Sequence, residues 1–289
     1  MNDSARNVPG GAVILVTGAS SGIGQCCALF LAGKGYRVYG ASRSAVSVPP
    51  SFPEGIDGHG VLPLRMDVTR DDSVRAGLDA VLQREGRLDI VINSAGMGIA
   101  GALEDTSPEE AREQFEVNLF GILRVCRAAL PIMRRQRSGY IVNIGSIAGL
   151  IAVPYQGIYS ASKFALEGLT ESLRMEVRQF GIRVVLIEPG DHRTGFTRNR
   201  QLTSASSGES AYRDACARAI QRMAEDEESG ALPDKVAQLA YRVIRSRNPR
   251  LRYTTGASVQ RVAVWLKRLA PNGLVEKLVA AYYSREQDR

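Results

Sequence analysis

The feature that most constrains the fold is a glycine-rich turn that directly follows a short apolar run. Residues 12–16 have the length and composition of a buried strand, and the turn Thr17-Gly-Ala-Ser-Ser-Gly-Ile-Gly24 comes next. A strand, a tight glycine turn and a helix in this order place backbone N–H groups and a helix N-terminus around a phosphate. The segment therefore predicts the first part of a βαβ unit with a phosphate-binding turn.

Short runs rich in Val, Ile and Leu alternate with longer amphipathic stretches along the rest of the chain. This alternation is typical of repeated βαβ units. It predicts an α/β fold of the Rossmann type, in which helices flank a doubly wound, mostly parallel seven-stranded sheet and a helical extension follows at the C-terminus. The predicted strands are residues 13–17, 37–41, 62–66, 90–93, 139–144, 183–188 and 252–255, and the predicted helices are residues 22–34, 71–85, 108–135, 159–180, 211–228, 232–247, 259–269 and 274–283.

Length and composition predict a single nucleotide-binding domain over residues 1–289. A chain of 289 residues, 44% of them hydrophobic, is within the range of one large α/β domain. Within it we expect a flexible N-terminus at residues 1–11, a substrate lid at residues 191–230 and the C-terminal helical extension at residues 257–289.

Neither a signal peptide nor a membrane span is predicted, because residues 1–11 are polar and no run of about 18 uncharged apolar residues occurs. The four cysteines have no C-x-x-C spacing and no histidines in metal-ligand register. Reduced thiols and a cytoplasmic location are therefore expected, and no metal site is predicted.

The formal net charge of +7 is spread along the chain and interleaved with acids. The basic clusters at residues 134–137 and 245–252 are short, which favours solvated helix ends or loops over a nucleic-acid surface. We therefore expect no nucleic-acid partner, and the charge indicates attraction of anionic cofactors or substrates.

A second motif, Tyr159-Ser-Ala-Ser-Lys163, places a phenol and an ammonium one helical turn apart. A nearby cation lowers the pKa of a phenol, whose ordinary value of about 10 makes it a poor base at neutral pH. These two residues alone would favour an ordinary exposed helix pair. Together with a cofactor-binding turn, they indicate oxidation or reduction at a carbon–oxygen bond.

Five elements in a fixed order resemble the short-chain dehydrogenase/reductase family, in its compact single-domain branch. The glycine turn alone is weak support, because its spacing differs from the G-x-G-x-x-G dinucleotide fingerprint. The complete set is specific, covers about residues 13–194, and implies NAD(P)-dependent chemistry on alcohols and carbonyl compounds. Its members are the turn at residues 17–24, Asp67-Val68, Asn93-Ser-Ala-Gly96, Asn118, and Ser146 with Tyr159-x-x-x-Lys163, followed by Pro189-Gly190.

The resemblance also implies where the cofactor binds. An aspartate at the position of Asp67 bonds the adenine edge in this family, and Val68 would pack beside the ring. His192 lies in the loop over the nicotinamide, where it either contributes only its backbone to the carboxamide or reaches the substrate or a phosphate. The predicted cofactor-binding residues are Gly18, Ser20, Ser21, Gly22, Ile23, Gly24, Ser42, Arg43, Asp67, Val68, Asn93, Ala95, Gly96, Tyr159, Lys163, Pro189, Gly190, His192 and Thr194.

The end of the second predicted strand favours NADP(H) over NAD. Dinucleotide enzymes that prefer NAD present an acid to the ribose 2′-hydroxyl at this point, and residues 38–44 contain none. Arg43 instead offers a planar cationic fork that suits a 2′-phosphate, with Ser42 as a further donor. A solvent-facing arginine is the alternative interpretation of Arg43.

Four catalytic residues follow from the resemblance. Tyr159 acts as the general acid/base, Lys163 lowers the pKa of Tyr159 and binds the nicotinamide ribose, and Ser146 orients the substrate oxygen. Asn118 interrupts the hydrogen bonding of its helix and holds a water that relays protons to the lysine.

The substrate is expected to be a lipophilic ketone or secondary alcohol. The predicted pocket wall comprises residues 97–99, residues 147–155 and the lid, and Leu150, Ile151, Val153 and Pro154 make it largely apolar. The chain resembles the branch that contains hydroxysteroid and retinol dehydrogenases and bacterial carbonyl reductases. A 3-oxoacyl thioester reductase and a nucleotide-binding sensor without turnover are the alternatives.

Two surfaces are candidates for contact with partners. In the family, helices corresponding to residues 108–135 and 159–180 commonly pair across a two-fold axis, which predicts a homodimer or homotetramer. Residues 259–269 combine apolar positions at helical spacing with a basic face. This segment is expected to pack on the domain or on a partner subunit, with membrane attachment as the alternative.

Overall fold

The structure is a computed structural model that describes residues 11–44, 60–267 and 269–284. Most of the predicted flexible N-terminus, residues 1–10, and the last five residues of the predicted extension lie outside the described residues. The strands are β1 (Val13–Thr17), β2 (Arg37–Ser42), β3 (Leu62–Arg65), β4 (Ile90–Asn93), β5 (Ile99–Ala100), β6 (Gly139–Ile144), β7 (Ile182–Pro189), β8 (Gln201–Leu202) and β9 (Arg252–Thr255).

Seven strands form one parallel sheet in the order β3-β2-β1-β4-β6-β7-β9. This confirms the prediction of a doubly wound, seven-stranded Rossmann-type sheet. The pairing of β5 with β8 is an addition that the sequence did not predict, because two-residue strands carry no periodicity.

The helices flank this sheet. The predicted helix over residues 108–135 is three consecutive elements: α3 (Pro108–Phe115), a π-helical turn (Glu116–Phe120) and α4 (Gly121–Gln136). Regular hydrogen bonding is thus interrupted around Asn118, as the family resemblance implied. A π-turn of this kind is frequent at functional sites, and it contains Asn118. The helices are α1 (Gly22–Ala32), α2 (Asp71–Glu85), α3 (Pro108–Phe115), α4 (Gly121–Gln136), α5 (Gly157–Val177), α6 (Phe196–Asn199), α7 (Arg213–Glu228), α8 (Asp234–Ile244), α9 (Ser258–Lys267) and α10 (Asn272–Ser284), with 3₁₀ turns at Ile147–Gly149, Arg178–Phe180 and Ser204–Ser207.

Helices cover both faces of the sheet, and alternate residues of each central strand point to opposite faces. In β1, Val13 and Leu15 join a cluster with α2, α4 and α5, whereas Ile14 and Val16 join a cluster with α1 and α8. Burying each of these side chains contributes about 2 kcal/mol. Strands covered on both faces are continuous apolar runs, which is why the sequence predicts them well.

The strand order fixes where a ligand can bind. The chain moves from β1 to β2 and β3 on one side and then to β4 on the other, so the loops after β1 and β4 diverge. A crevice opens at such a switch point, at the carboxyl ends of the strands. Among the described residues, no helix has the length and apolar character needed to cross a bilayer.

Candidate active site

The carboxyl ends of the central strands open into one cleft of about 860 Å³. Its walls come from the loops after β1, β2, β3, β4, β6 and β7, together with the start of α5. Except for two buried asparagines, every predicted site residue lines it: Gly18, Ser20, Ser21, Gly22, Ile23, Gly24, Ser42, Arg43, Asp67, Val68, Ala95, Gly96, Ser146, Tyr159, Lys163, Pro189, Gly190, His192 and Thr194.

The glycine turn is built for close backbone approach. Gly18 has φ +68°, and a Cβ there would lie 2.7 Å from Cα of Ala95, in the loop after β4. A Cβ on Gly24 would lie 2.3 Å from the carbonyl oxygen of Gly18. Only glycine allows these contacts, which bring the start of α1 against the ends of β1 and β4.

The N-terminus of α1 is open to the cleft. Ser21 is the N-cap residue of α1, but its side chain makes no capping hydrogen bond. The first N–H groups of the helix therefore lack the side-chain partner that usually satisfies them. Open N–H groups at a helix start, beside glycines without side chains, fit the pyrophosphate of a dinucleotide.

The end of β2 and the loop after β3 form the far wall of the cleft. Asp67 accepts hydrogen bonds from the backbone N–H and the hydroxyl of Thr69, at 3.0 and 2.8 Å. Partial burial raises the pKa of Asp67, but these bonds and the nearby Arg43 and Arg70 lower it by more. The pKa is therefore below its ordinary value, and the carboxyl is ionised at neutral pH. Arg43 is exposed at the rim, with no acid beside it on β2.

Ser146, Tyr159 and Lys163 meet where the ends of β4, β6 and β7 converge. Ser146 follows β6, and its Oγ accepts a hydrogen bond from the N–H of Ala148 at 3.1 Å. Burial raises the pKa of Tyr159 to about 12, although its hydrogen bond with Ser146 lowers it. The sequence predicted a lowered phenol pKa, whereas burial dominates here and keeps the phenol protonated.

Lys163 lies one turn after Tyr159 on α5, as predicted. Its Nζ donates to the carbonyl oxygen of Ile144 at 3.1 Å and lies 5.8 Å from the centre of the Tyr159 ring. Burial lowers the pKa of Lys163 to about 8, because the charged form loses its hydration. The ammonium is therefore charged at neutral pH but close to titrating.

The two asparagines that do not line the cleft are fully buried behind it. Asn118 exchanges hydrogen bonds with the backbone of Met97, through its Oδ1 at 2.9 Å and its Nδ2 at 3.1 Å. Asn93 donates to Oδ1 of Asn143 at 2.9 Å, between β4 and β6. Asn118 thus holds the loop after β4 in place through hydrogen bonds, and Asn93 joins β4 to β6.

His192 forms a hydrogen bond within its own loop, where Nδ1 lies 2.9 Å from the carbonyl oxygen of Gly190. Because a carbonyl oxygen only accepts, Nδ1 carries the proton. Burial lowers the pKa of His192, so the ring is neutral at pH 7. This arrangement favours the backbone interpretation of His192 over a charged contact with a phosphate.

The substrate end of the cleft differs from the predicted apolar wall. Met97, Ile147 and Val153 line it as predicted, whereas Leu150, Ile151 and Pro154 do not. The ring of Phe196 lies 5.5 Å from that of Tyr159. The sequence interpretation missed several polar residues there. The additional lining residues include Gln156, Asp191, Asn199, Met223, Asp226, Glu227, Gln260 and Tyr283.

Helical spacing would have pointed to part of this set. Met223, Asp226 and Glu227 are three and four residues apart, so they share one face of α7. Gln260 and Tyr283 come from α9 and α10, and no sequence signal predicts that the tail reaches the cleft. Residues of α7, α9 and α10 thus line the substrate end of the cleft, and a lid function for residues 191–230 stays a prediction.

Three carboxylates meet at this end, and two arginines balance them in part. Glu227 pairs with Arg200, and Asp226 lies 3.6 Å from the Nε of Arg222. Burial, together with Asp226 and Glu227, raises the pKa of Asp191 to about 6. The cluster is thus one negative charge in excess at neutral pH, beside the Tyr159 hydroxyl.

Comparison with known proteins identifies the family. The family model for short chain dehydrogenases matches residues 12–205. The chain is 40% identical over 272 residues to a 3-ketodihydrosphingosine reductase of Bacteroides thetaiotaomicron, covering 94% of this chain and 98% of the relative. The chain belongs to the short-chain dehydrogenase/reductase family.

Solved structures of this family agree with the fold and the cofactor class. A short-chain dehydrogenase/reductase from Burkholderia phymatum in complex with NAD superposes with a TM-score of 0.78 at 27% identity, over 93% of this chain and 95% of the other. A metagenomic short-chain oxidoreductase in complex with NADP gives 0.66 at 28% identity, over 85% and 96%. The protein is therefore an NAD(P)-dependent oxidoreductase that acts on CH–OH groups.

Proposed function

We propose that this short-chain dehydrogenase/reductase uses NADPH to reduce a long-chain 2-amino ketone of the 3-ketodihydrosphingosine type. The observation that carries the proposal is the acidic substrate end beside Tyr159, in a chain that aligns over nearly its full length with a reductase named for such a ketone. The sequence predicts a lipophilic ketone or secondary alcohol as substrate, and a long-chain amino ketone fits that prediction.

The charge balance of the cleft supports the amino group. An α-amino ketone is cationic at neutral pH, and its nitrogen lies two bonds from the carbonyl carbon. With the carbonyl oxygen at Tyr159, an ammonium beside Asp191, whose charge acts on the Tyr159 hydroxyl, would cancel the excess negative charge. The amide nitrogen of Gln156 is buried, lines the cleft and has no partner among the described residues, so it can donate to the substrate hydroxyl.

The proposed preference for NADPH rests on Arg43. Its guanidinium lies at the cleft rim after β2, where an acid would repel the 2′-phosphate and a fork of N–H donors would bind it. Ser42 and the serines of the glycine turn are additional donors at the same wall. The positions of Gly18, Gly22, Asp67 and Thr194 in the cleft fit the remainder of a dinucleotide.

In the proposed mechanism, the bound nicotinamide supplies the hydride to the carbonyl carbon. Tyr159 donates its proton to the carbonyl oxygen, which the raised pKa permits because the phenol is protonated at neutral pH. The Ser146 hydroxyl orients that oxygen. Lys163 stabilises the phenolate that remains, and Asn118 holds the loop after β4 in place.

The first test is NADPH oxidation by the purified protein with 3-ketodihydrosphingosine in detergent micelles. Parallel assays use the deamino analogue, a 3-oxoacyl thioester, NADH, and the Tyr159→Phe variant. We expect the amino ketone to react fastest and Tyr159→Phe to lose at least about a thousandfold in kcat while still binding NADPH. Equal rates with the deamino analogue would refute amine recognition.

The same assay separates the alternatives. Faster turnover of the thioester would indicate a 3-oxoacyl thioester reductase, and NADPH binding without turnover of any carbonyl compound would indicate a nucleotide-binding sensor. The intact set of Ser146, Tyr159 and Lys163 in one cleft favours the enzyme over the sensor.

We further propose a homodimer or homotetramer through α4 and α5, in the cytoplasm. Phe120, in the π-turn before α4, and Phe164, on α5, expose 43% and 41% of their surface, which supports a subunit contact. All four cysteines are free thiols, as a reducing compartment requires. Sedimentation velocity of the native protein and of Phe164→Glu tests the contact.

A further inference from the structure

Helix α9 presents two distinct faces. Gln260, Val264 and Lys267 point to the domain: Gln260 bonds to Asp191, Val264 is 8% exposed, and Lys267 donates to the carbonyl oxygen of Leu150. Val259, Val262 and Leu266 recur at the complementary spacing and face outward. The apolar face of this helix, which was predicted to pack on the domain or on a partner subunit, is therefore not covered by the domain, and the opposite face makes the contacts instead.

Helix α10 repeats the arrangement. Tyr283 lines the cleft, and the hydroxyl of Tyr282 donates to Asp226 on α7 at 2.7 Å. Leu274 and Leu278, one turn apart, expose more than half of their surface. We refer to the exposed apolar side chains of the two helices together as the tail surface: Val259, Val262, Trp265, Leu266, Leu274 and Leu278.

The tail surface carries a positive charge. Among the described residues of the two helices, Arg261 and Lys277 are exposed basic residues and Glu276 is an exposed acid, whereas Lys267 points to the domain. A two-fold contact places the same patch of two copies face to face, so the basic residues of this surface would repel one another. An anionic lipid surface complements both the charge and the apolar side chains.

We propose that α9 and α10 dock on the surface of an anionic lipid bilayer through the tail surface, without crossing it. Trp265, 59% exposed, has the amphipathic ring that is favoured at the level of lipid headgroups. The same two helices supply Gln260 and Tyr283 to the cleft wall, so the docked face adjoins the substrate end.

Docking gives a lipid substrate a direct route. In this part the inference rests on the proposed function: a long-chain ketone that resides in a bilayer would enter the cleft between the tail helices and α7 without crossing water. The docking itself depends only on the tail surface, and it is measured without substrate or cofactor.

The test is co-sedimentation of the full-length protein with vesicles of phosphatidylglycerol and, separately, of phosphatidylcholine. We expect binding to the anionic vesicles, weakened by salt, and little binding to the neutral ones. The Trp265→Glu/Leu266→Glu variant should lose this binding. Arg261→Gln/Lys277→Gln should weaken it about twenty-five-fold, since each basic residue near such a surface contributes about fivefold.

Leu103→Glu is the matched control, because Leu103 is 73% exposed but lies outside the tail. It should bind anionic vesicles as the native protein does. The proposal is overturned if the native protein stays in the supernatant at low salt, or if Leu103→Glu loses as much binding as the tail variant. It is also overturned if the tail variant changes only the oligomeric mass, which would assign the surface to a second copy.

Activity on micellar substrate keeps the two proposals separable. The tail variants should retain reductase activity in micelles and lose it with substrate embedded in anionic vesicles. Vesicle binding without any ketone reduction would contradict the proposed function and leave the docking surface standing.

Discussion

The buried ammonium of Lys163 should lower the free energy of unfolding of the protein. Its pKa falls from the ordinary value of 10.5 to about 8 because the ammonium is buried. A tenfold change in a proton equilibrium corresponds to about 1.4 kcal/mol, so this shift costs the folded state about 3 kcal/mol when the lysine is charged. Replacing Lys163 by methionine removes that cost and keeps a long apolar side chain.

The pH dependence isolates this effect from packing changes. Between pH 8 and pH 10.5 the unfolded chain retains the lysine proton that the folded protein has lost, so the native free energy of unfolding rises relative to that of Lys163→Met. The stability advantage of the variant should therefore be largest at pH 7 and about 2 kcal/mol smaller at pH 10. Its kcat should fall by at least about a hundredfold.

The assay is urea unfolding of the cofactor-free protein and of Lys163→Met at pH 7 and pH 10, followed by far-ultraviolet circular dichroism. Lys235→Met is the control, because Lys235 is exposed and its replacement should leave the pH dependence unchanged. A difference between native protein and Lys163→Met that is the same at both pH values would refute the argument that burial lowers the pKa of Lys163.

Three further predictions concern the cleft. Arg43→Ala should raise the KM for NADPH about thirtyfold and leave the KM for NADH within about twofold, as steady-state kinetics would reveal. Gly24→Ala should cost about 2 kcal/mol or more of unfolding free energy because its Cβ would overlap the Gly18 carbonyl, whereas Gly157→Ala, with open space around the Cβ, should be near neutral in the same denaturation experiment. Asp191 is protonated below about pH 6, so the preference for the amino ketone over its deamino analogue should fall as the pH drops from 7 to 5. Asp191→Asn should abolish this pH dependence. If the variant keeps the pH dependence of the native protein, Asp191 is not the amine contact.

Much of the candidate site follows from spacing within the chain. Tyr159 and Lys163 lie one helical turn apart in any helix, and the glycine turn from Gly18 to Gly24 needs only the strand before it and the helix after it. Both motifs therefore appear in the structure where the sequence places them. Asn118 is different, since its hydrogen bonds join its π-turn to Met97 in the loop after β4, a contact that spacing within the chain does not determine.

The sequence by itself determined the seven parallel strands, their helices and the family, because strands buried on both faces are apolar runs and the motifs are local. Tertiary structure decided the rest. The pKa of Tyr159 rises rather than falls because burial depends on everything packed around the ring. The acidic substrate end and the exposed tail surface arise because α7, α9 and α10 meet over the cleft, and residues distant in the chain become neighbours only when the chain is folded.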